Sequence, residues 1–233
     1  MDASSKLAAY INSKKPLIGK VVDFDTKTDR LLSIDLTENN TELSEVVTDA
    51  DTFSAWVDKK MREGGYRYGA GGYMENRTIY NSRSLFTADE QPRSLHLGVD
   101  IWGPAGTPVY APLSGTIHSF NDNNNYGDYG PTIIIQHDLD GLKLFSLYGH
   151  LSRKDIEGLF VGQAISINQK IGRFGGIEEN GHWPPHLHFQ LMLNMEGKKG
   201  DYPGVCNPAE KEKYLQNIPD PNLLLQFPPV NYR

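Results

Sequence analysis

The chain has 233 residues, a formal net charge of −6 and 38% hydrophobic residues, enough to bury a sizeable core in one large domain or in a small lobe beside a larger one. No apolar run approaches the roughly 20 residues needed to cross a bilayer, and basic residues never run longer than a pair, which argues against a membrane span and a nucleic-acid partner. The single cysteine, Cys206, rules out an intramolecular disulfide framework and a cysteine-rich zinc site.

The opening stretch "MDASSKLAAYINSKKPLIGK" lacks the charged start, apolar middle and small-residue cleavage site of a signal peptide, so a cytoplasmic location or a trimmed exported protein is expected. Short strands are expected in "GKVVDF" and "LLSIDL". An amphipathic helix follows from about Asp51 to Arg62, where Phe53, Trp56, Val57 and Met61 recur at helical spacing and Gly64-Gly65 ends the pattern. That aromatic stripe reads as core. "EGGYRYGAGGYMENRTIYNS", Glu63 to Ser82, shows no period and is expected as an irregular surface segment, either linker or lid.

From about His96 onward the signals are strand-like. "PVYAPLSGTIHSF", "PTIIIQHDL", "LKLFSLYGHL", "QAISI" and "HLHFQLML" are rich in β-branched and aromatic residues and are separated by Gly, Pro, Asn and Asp. "SRKDIEGL" predicts a single helical turn capped by Ser152, and "CNPAEKEKYLQ" a late helix with Asn207 as N-cap and Pro208 in its first turn. The expected organisation is an N-terminal α/β region at 1–90 with a possible lid at 63–82, a mainly antiparallel β domain at 91–200, and a C-terminal extension at 201–233 with a short helix. The class is therefore α+β, mainly β.

The chemical signal lies in the seven histidines. In "PPHLHFQL", His186 and His188 alternate with Leu187 and Phe189, so a strand would turn both imidazoles to one face. Chance polar rings on an exposed face are the bland reading. In "HLGVD", a fully extended chain would hold His96 roughly 13 Å from Asp100, so sharing a metal requires a bend, and Gly98 is the residue that permits one. Zinc commonly takes three protein ligands in catalytic sites, which His96, Asp100 and one of the H-x-H pair would supply. The other histidine of the pair would sit near the water position, with His150 of "LFSLYGH" as a further member. Structural roles are preferred for His118, His137 and His182.

"HLGVD", "GTPVYAPLSGTI", "YGHLS" and "PPHLHFQL", in that order over about residues 95–193, resemble the lysostaphin and LytM-type zinc metalloendopeptidases. The resemblance implies a sheet or sandwich of the duplicated-hybrid-motif type with an open groove. It implies one zinc per chain on His96, Asp100 and His188, with His186 and His150 assisting catalysis. The implied substrates are short peptides, glycine-rich or containing D-alanine as in peptidoglycan, in a groove lined by Tyr148 and Trp183. "HWPP" departs from the Gly-Pro or Ala-Pro usual before H-x-H in that family, and so predicts a bulkier wall. "GGYMENRTIYNS", "DYPGVCNP" and "PDPNLLL" add a similarity to the peptidase-like segment of long proteins that join a phosphotransferase-like domain to a class III aminotransferase. A non-hydrolytic peptide- or partner-binding module of the same fold is the alternative. The fold also resembles the sugar phosphotransferase IIA domain, but phosphoryl carriage gives the H-x₃-D pair no use.

Overall fold

The computed structural model describes residues 2–47, 49–77, 79, 80, 86 and 92–228. Its strands are β1 (Leu31–Ser33), β2 (Tyr68–Gly71), β3 (Leu95–His96), β4 (Val99–Trp102), β5 (Pro108–Tyr110), β6 (Gly115–Asn123), β7 (Gly130–Leu139), β8 (Leu142–Gly149), β9 (Ala164–Ile165), β10 (Lys170–Arg173), β11 (His186–Met192) and β12 (Val205–Cys206). Helices are α1 (Ala3–Lys14), α2 (Leu43–Val46), α3 (Ala50–Gly64), α4 (Lys211–Leu215) and α5 (Asn222–Leu225).

The main sheet runs in the order β1-β2-β4-β11-β8-β7-β6-β9. It is open, and its pairings are antiparallel except for β1 with β2. The expected mainly-β, α+β class therefore holds. Alternation along β11 explains the two faces: Leu187, Phe189 and Leu191 join Ile133, Ile135 and Tyr148 in the largest apolar cluster, while His186, His188 and Gln190 turn to the other side. Each fully buried Leu or Phe on the core side contributes roughly 1.5–3 kcal/mol.

On the histidine side, α3 supplies a second cluster. Phe53, Val57 and Met61 pack with Ile34, Leu36, Trp102 and Trp183, so the aromatic stripe is core as expected. The Asp49 side chain caps α3 by accepting from Thr52 N, and Gly65 ends it at φ 63°. At the other end of the chain Asn207 caps the late helical segment, its side chain accepting from Ala209 N. The predicted turn after Ser152 is a single 3₁₀ turn, Arg153–Asp155, without a side-chain cap bond.

Three local expectations change. "GKVVDF" is not a strand: Val21 and Val22 are buried, but the segment makes isolated backbone bonds, Tyr110 N to Val21 O and Gly19 N to Pro112 O, rather than a ladder. Helix α1 was not expected; Asp2 caps it, and Leu7 reaches the same cluster as Leu224 of α5. The stretch from Glu63 to Ser82 is not an irregular surface. Its Tyr68–Gly71 strand lies between β1 and β4, and Glu75, Arg77 and Tyr80 are buried; Thr78, Asn81 and Ser82 lie outside the described residues. The glycines there serve close packing, since a Cβ on Gly69 would lie 2.4 Å from Ile34 and one on Gly71 2.7 Å from the Trp102 ring. No helix among the described residues is long and apolar enough to cross a membrane.

Candidate metal centre

Register places the site. Strand β11 pairs with β4 so that His188 lies opposite Asp100 and His186 opposite Trp102, all on one face. His96 ends β3, which Leu97 and Gly98 separate from β4. Between them, Gly98 matters for approach rather than for turning. A Cβ there would lie 2.6 Å from the His188 ring and 2.8 Å from Phe189 O, so only glycine lets the chain pass beneath that imidazole.

His96 Nε2 lies 2.9 Å from His188 Nδ1 and 3.3 Å from Asp100 Oδ1, and His188 Nδ1 lies 3.1 Å from that same oxygen. Their other atoms fix the tautomers. His96 Nδ1 is 2.9 Å from the Gly72 carbonyl, so it must donate, leaving Nε2 as a lone pair. Gln190 Nε2 donates to Pro203 O at 3.1 Å, which turns Gln190 Oε1 toward His188 Nε2 at 3.0 Å. That nitrogen therefore donates, and His188 Nδ1 also presents a lone pair. With both rings neutral, two imidazole lone pairs and a carboxylate oxygen converge.

Such a donor set suits a cation. Ligands held tetrahedrally at about 2.0–2.1 Å from zinc lie about 3.3 Å from one another, close to the separations seen here. The mixture of two nitrogens and one oxygen, with outer partners on both rings, fits zinc and leaves a fourth position.

Asp100 Oδ2 is held separately. Arg77 Nη1 donates to it at 2.5 Å and to Tyr80 Oη at 3.0 Å, while Arg77 Nε donates to Glu75 Oε2 at 2.7 Å. Burial alone would raise the Asp100 carboxyl, but the His96 ring and the Arg77 guanidinium hold it well below the usual carboxylate range. Burial, and then Arg77, push His96 down to about 4. His96 is thus held neutral beside an ionised Asp100, the protonation a metal needs.

His186 and His150 stand beside the donors, their ring centroids 4.1 Å apart. Each is fixed through Nδ1, at 2.7 Å from Pro184 O and 2.8 Å from Asn180 O respectively, so Nε2 is the free basic atom of both. His186 is also stacked on Trp102, centroids 5.5 Å apart, and its Nε2 lies 4.0 Å from Asp100 Oδ1. Burial lowers His186 to about 4; burial and the adjacent His186 ring lower His150 well below its ordinary value. His150 has φ 61°, a left-handed backbone that places its ring across the end of β8.

A cavity of about 190 Å³ adjoins these groups, lined by Arg77, Tyr80, Tyr129, Trp183 and the three histidines His150, His186 and His188, among others. Trp183 is where "HWPP" places it, in the wall. Asn180 holds it by accepting from Trp183 N and donating to Trp183 O. Tyr148 requires correction. It pairs with Phe189, on the face opposite His188, and packs its ring in the core 5.3 Å from that of Phe189, away from the cavity. His137, bonded to Ser114 O and Ser146 Oγ, and His118, bonded to Ser119 Oγ, lie outside the cluster. His182 lies against the Tyr126 ring.

Sequence reasoning missed Arg77, Gln190 and Tyr129. Gln190 was within reach, since the alternation that aligns His186 with His188 carries one step further. No spacing flags Arg77, whose partner Asp100 is 23 residues away.

Residues 94–200 match the family model described as Peptidase family M23. Among curated proteins the chain is 31% identical over 150 residues to Endolysin 2638A of Staphylococcus phage 2638A, covering 63% of this chain and 27% of that protein. It is 30% identical over 123 residues to Peptidoglycan DD-endopeptidase ShyA of Vibrio cholerae, covering 50% and 25%. Among solved structures, the catalytic domain of lysostaphin from Staphylococcus simulans is similar at 25% identity and a TM-score of 0.41, over 69% of this chain and 97% of that one. The chain spans about a quarter of the length of the curated relatives it matches.

Proposed function

We propose that the unit at residues 94–200, similar to Peptidase family M23, hydrolyses peptide bonds with one zinc held by His96, Asp100 and His188. The observation that carries this reading is the convergence of three potential ligand atoms, from His96, Asp100 and His188, within 3.3 Å of one another, each residue oriented by a buried partner. Zinc bound there would supply a Lewis acid for the scissile carbonyl and lower the pKa of a coordinated water toward about 7.

The chain's own residues handle the protons. With Nδ1 committed to carbonyls, His150 and His186 each offer Nε2 to take a proton from water and return one to the leaving nitrogen. The water oxygen bonds to the carbonyl carbon, the C–N bond breaks with its electron pair on nitrogen, and the amine leaves with the returned proton. Trp183 and Tyr80, edge to face with centroids 6.2 Å apart, wall off water and hold the substrate. By similarity to the two Vibrio proteins named as peptidoglycan DD-endopeptidases, the substrate is a peptidoglycan-type peptide; glycine or D-alanine in it is what the sequence resemblance implies. The finer kinship with the segment of phosphotransferase–aminotransferase proteins rests on the quoted sequence stretches alone.

Burial favours one other reading. His96, Asp100 and His188 are only 1–3% exposed, and Tyr80 packs against Phe86 as well as Trp183, so the chamber suits a binding module that holds a peptide without cleaving it. Elemental analysis and a screen of glycyl and D-alanyl peptides separate the two. One zinc per chain with zinc-dependent cleavage is expected; a zinc-loaded protein that binds these peptides but cleaves none would establish the second reading.

A further inference from the structure

Glu75 and Arg77 are buried, lie upstream of the region of family similarity, and reach two of the three candidate metal ligands. The 74–77 segment runs antiparallel to β3: Met74 N donates to His96 O, His96 N to Glu75 O and Arg77 N to Ser94 O, each at 2.8 Å. Glu75 is the junction. Its Oε1 accepts from Leu36 N, just past β1, at 3.2 Å, and its Oε2 from Gly72 N at 3.3 Å and Arg77 Nε at 2.7 Å. One arm from it runs through Gly72, whose carbonyl receives the His96 Nδ1 hydrogen; the other runs through Arg77, whose Nη1 donates to Asp100 Oδ2. That second arm divides the Asp100 carboxylate. Oδ1 lies 3.3, 3.1 and 4.0 Å from the nearest nitrogens of His96, His188 and His186, while Oδ2 is taken by the guanidinium.

We propose that Glu75 is a positioning residue for the metal centre: through Gly72 it fixes His96, and through Arg77 it confines Asp100 to one oxygen, which makes the centre select zinc over manganese. This rests on the zinc site of the reading above and holds whether or not peptides are cleaved there. Zinc is satisfied by one carboxylate oxygen in a four-ligand shell, whereas manganese favours six ligands, mostly oxygen. A carboxylate with one oxygen spent on an arginine suits the first ion. The hold is firm because a buried guanidinium must keep its carboxylate partners, and its bonds to them are charge-assisted. Charge agrees as well, since two carboxylates against one guanidinium leave one net negative charge for a cation.

The test uses the full chain, freed of metal by a chelator and reloaded with zinc, manganese(II) or cobalt(II). Cobalt reports the shell directly, because four-coordinate cobalt absorbs visible light far more strongly than six-coordinate cobalt. Strong bands are expected in the unsubstituted chain. Glu75→Gln offers one acceptor oxygen where three donors need two, so zinc affinity is expected to fall about 10–100-fold, the zinc-to-manganese affinity ratio to narrow by about tenfold, and the cobalt bands to weaken. A loss of zinc and manganese affinity by the same factor, with the cobalt bands intact, would mark Glu75 as merely structural and overturn the inference, as would parental zinc affinity in Glu75→Gln. Weak, six-coordinate cobalt bands in the unsubstituted chain overturn it even if Glu75→Gln fails to fold. The expected metal behaviour without cleavage of any peptide overturns the peptidase reading and keeps the positioning role. A chain that takes up none of the three ions overturns the zinc site and the positioning role together.

Discussion

His188 Nδ1 faces His96 Nε2 at 2.9 Å, and each ring spends its N–H elsewhere, on Gln190 Oε1 and Gly72 O. Two acceptors at that distance repel unless a cation lies between them. Replacing His188 with Ala is therefore expected to lower zinc content at least about tenfold while the core face of β11 stays packed. Elemental analysis of the purified protein checks this, and full zinc occupancy in His188→Ala would refute the ligand assignment.

Gln190 should behave as an orienting partner. Gln190→Leu removes the nearer acceptor for His188 Nε2, leaving Tyr129 Oη at 3.4 Å, and loosens the hold on the ring's tautomer. Zinc affinity, measured by competition with a chromogenic chelator, is expected to fall about 10–100-fold with secondary structure unchanged by circular dichroism. An unaltered affinity would break the chain from Pro203 through Gln190 to the metal.

His150 and His186 are expected to part company with the ligands. Either alanine substitution should retain zinc and lower kcat by about 10²–10⁴-fold, the usual weight of a positioned acid or base. Zinc loss in either variant would move that residue into the ligand set.

Gly98→Ala tests the close approach beneath His188. The added methyl would meet the ring at 2.6 Å and Phe189 O at 2.8 Å, and one of these is fixed backbone. Stability in urea is expected to drop by about 1–3 kcal/mol, as overpacking does, with weakened zinc binding. A variant as stable as the parent would show that the chain there can shift freely.

Away from the metal, His137 gives a pH signature. Burial lowers its pKa from the ordinary value of 6.5, only partly offset by its bond to Ser114 O. The unfolded chain therefore binds a proton near pH 6.5 that the folded chain resists, so stability is lost as pH falls from about 6.5 toward the lower folded pKa and levels off below it. Urea midpoints at pH 7.5 and 5.5 should differ less in His137→Gln than in the parent. Equal differences would mean that His137 protonates without cost.

Legibility followed the range of the interactions. Strands β5 to β8 and β11 were readable because β-branched residues alternate along them, and His96, Asp100, His186 and His188 because their spacing is local. The Glu63–Ser82 stretch misled because glycine serves both turns and tight packing, and Gly69 and Gly71 do the second. Tyr148 was assigned to the groove although its position opposite Phe189 puts it on the other face. Arg77 was invisible because its contact with the metal-site carboxylate joins residues 23 apart in sequence.

The strand that carries Asp100 has a neighbour on each side, β11 within the similar region and β2 outside it. A fragment excised at residue 94 would turn that internal strand into a bare edge and delete Glu75 and Arg77, leaving unpaired amides ready to recruit another chain. For protein engineering, the useful module therefore begins well upstream of where sequence kinship does. An aggregating or metal-poor fragment would report a severed sheet, and a truncation series should be designed around residues 31–77 rather than around the region of similarity.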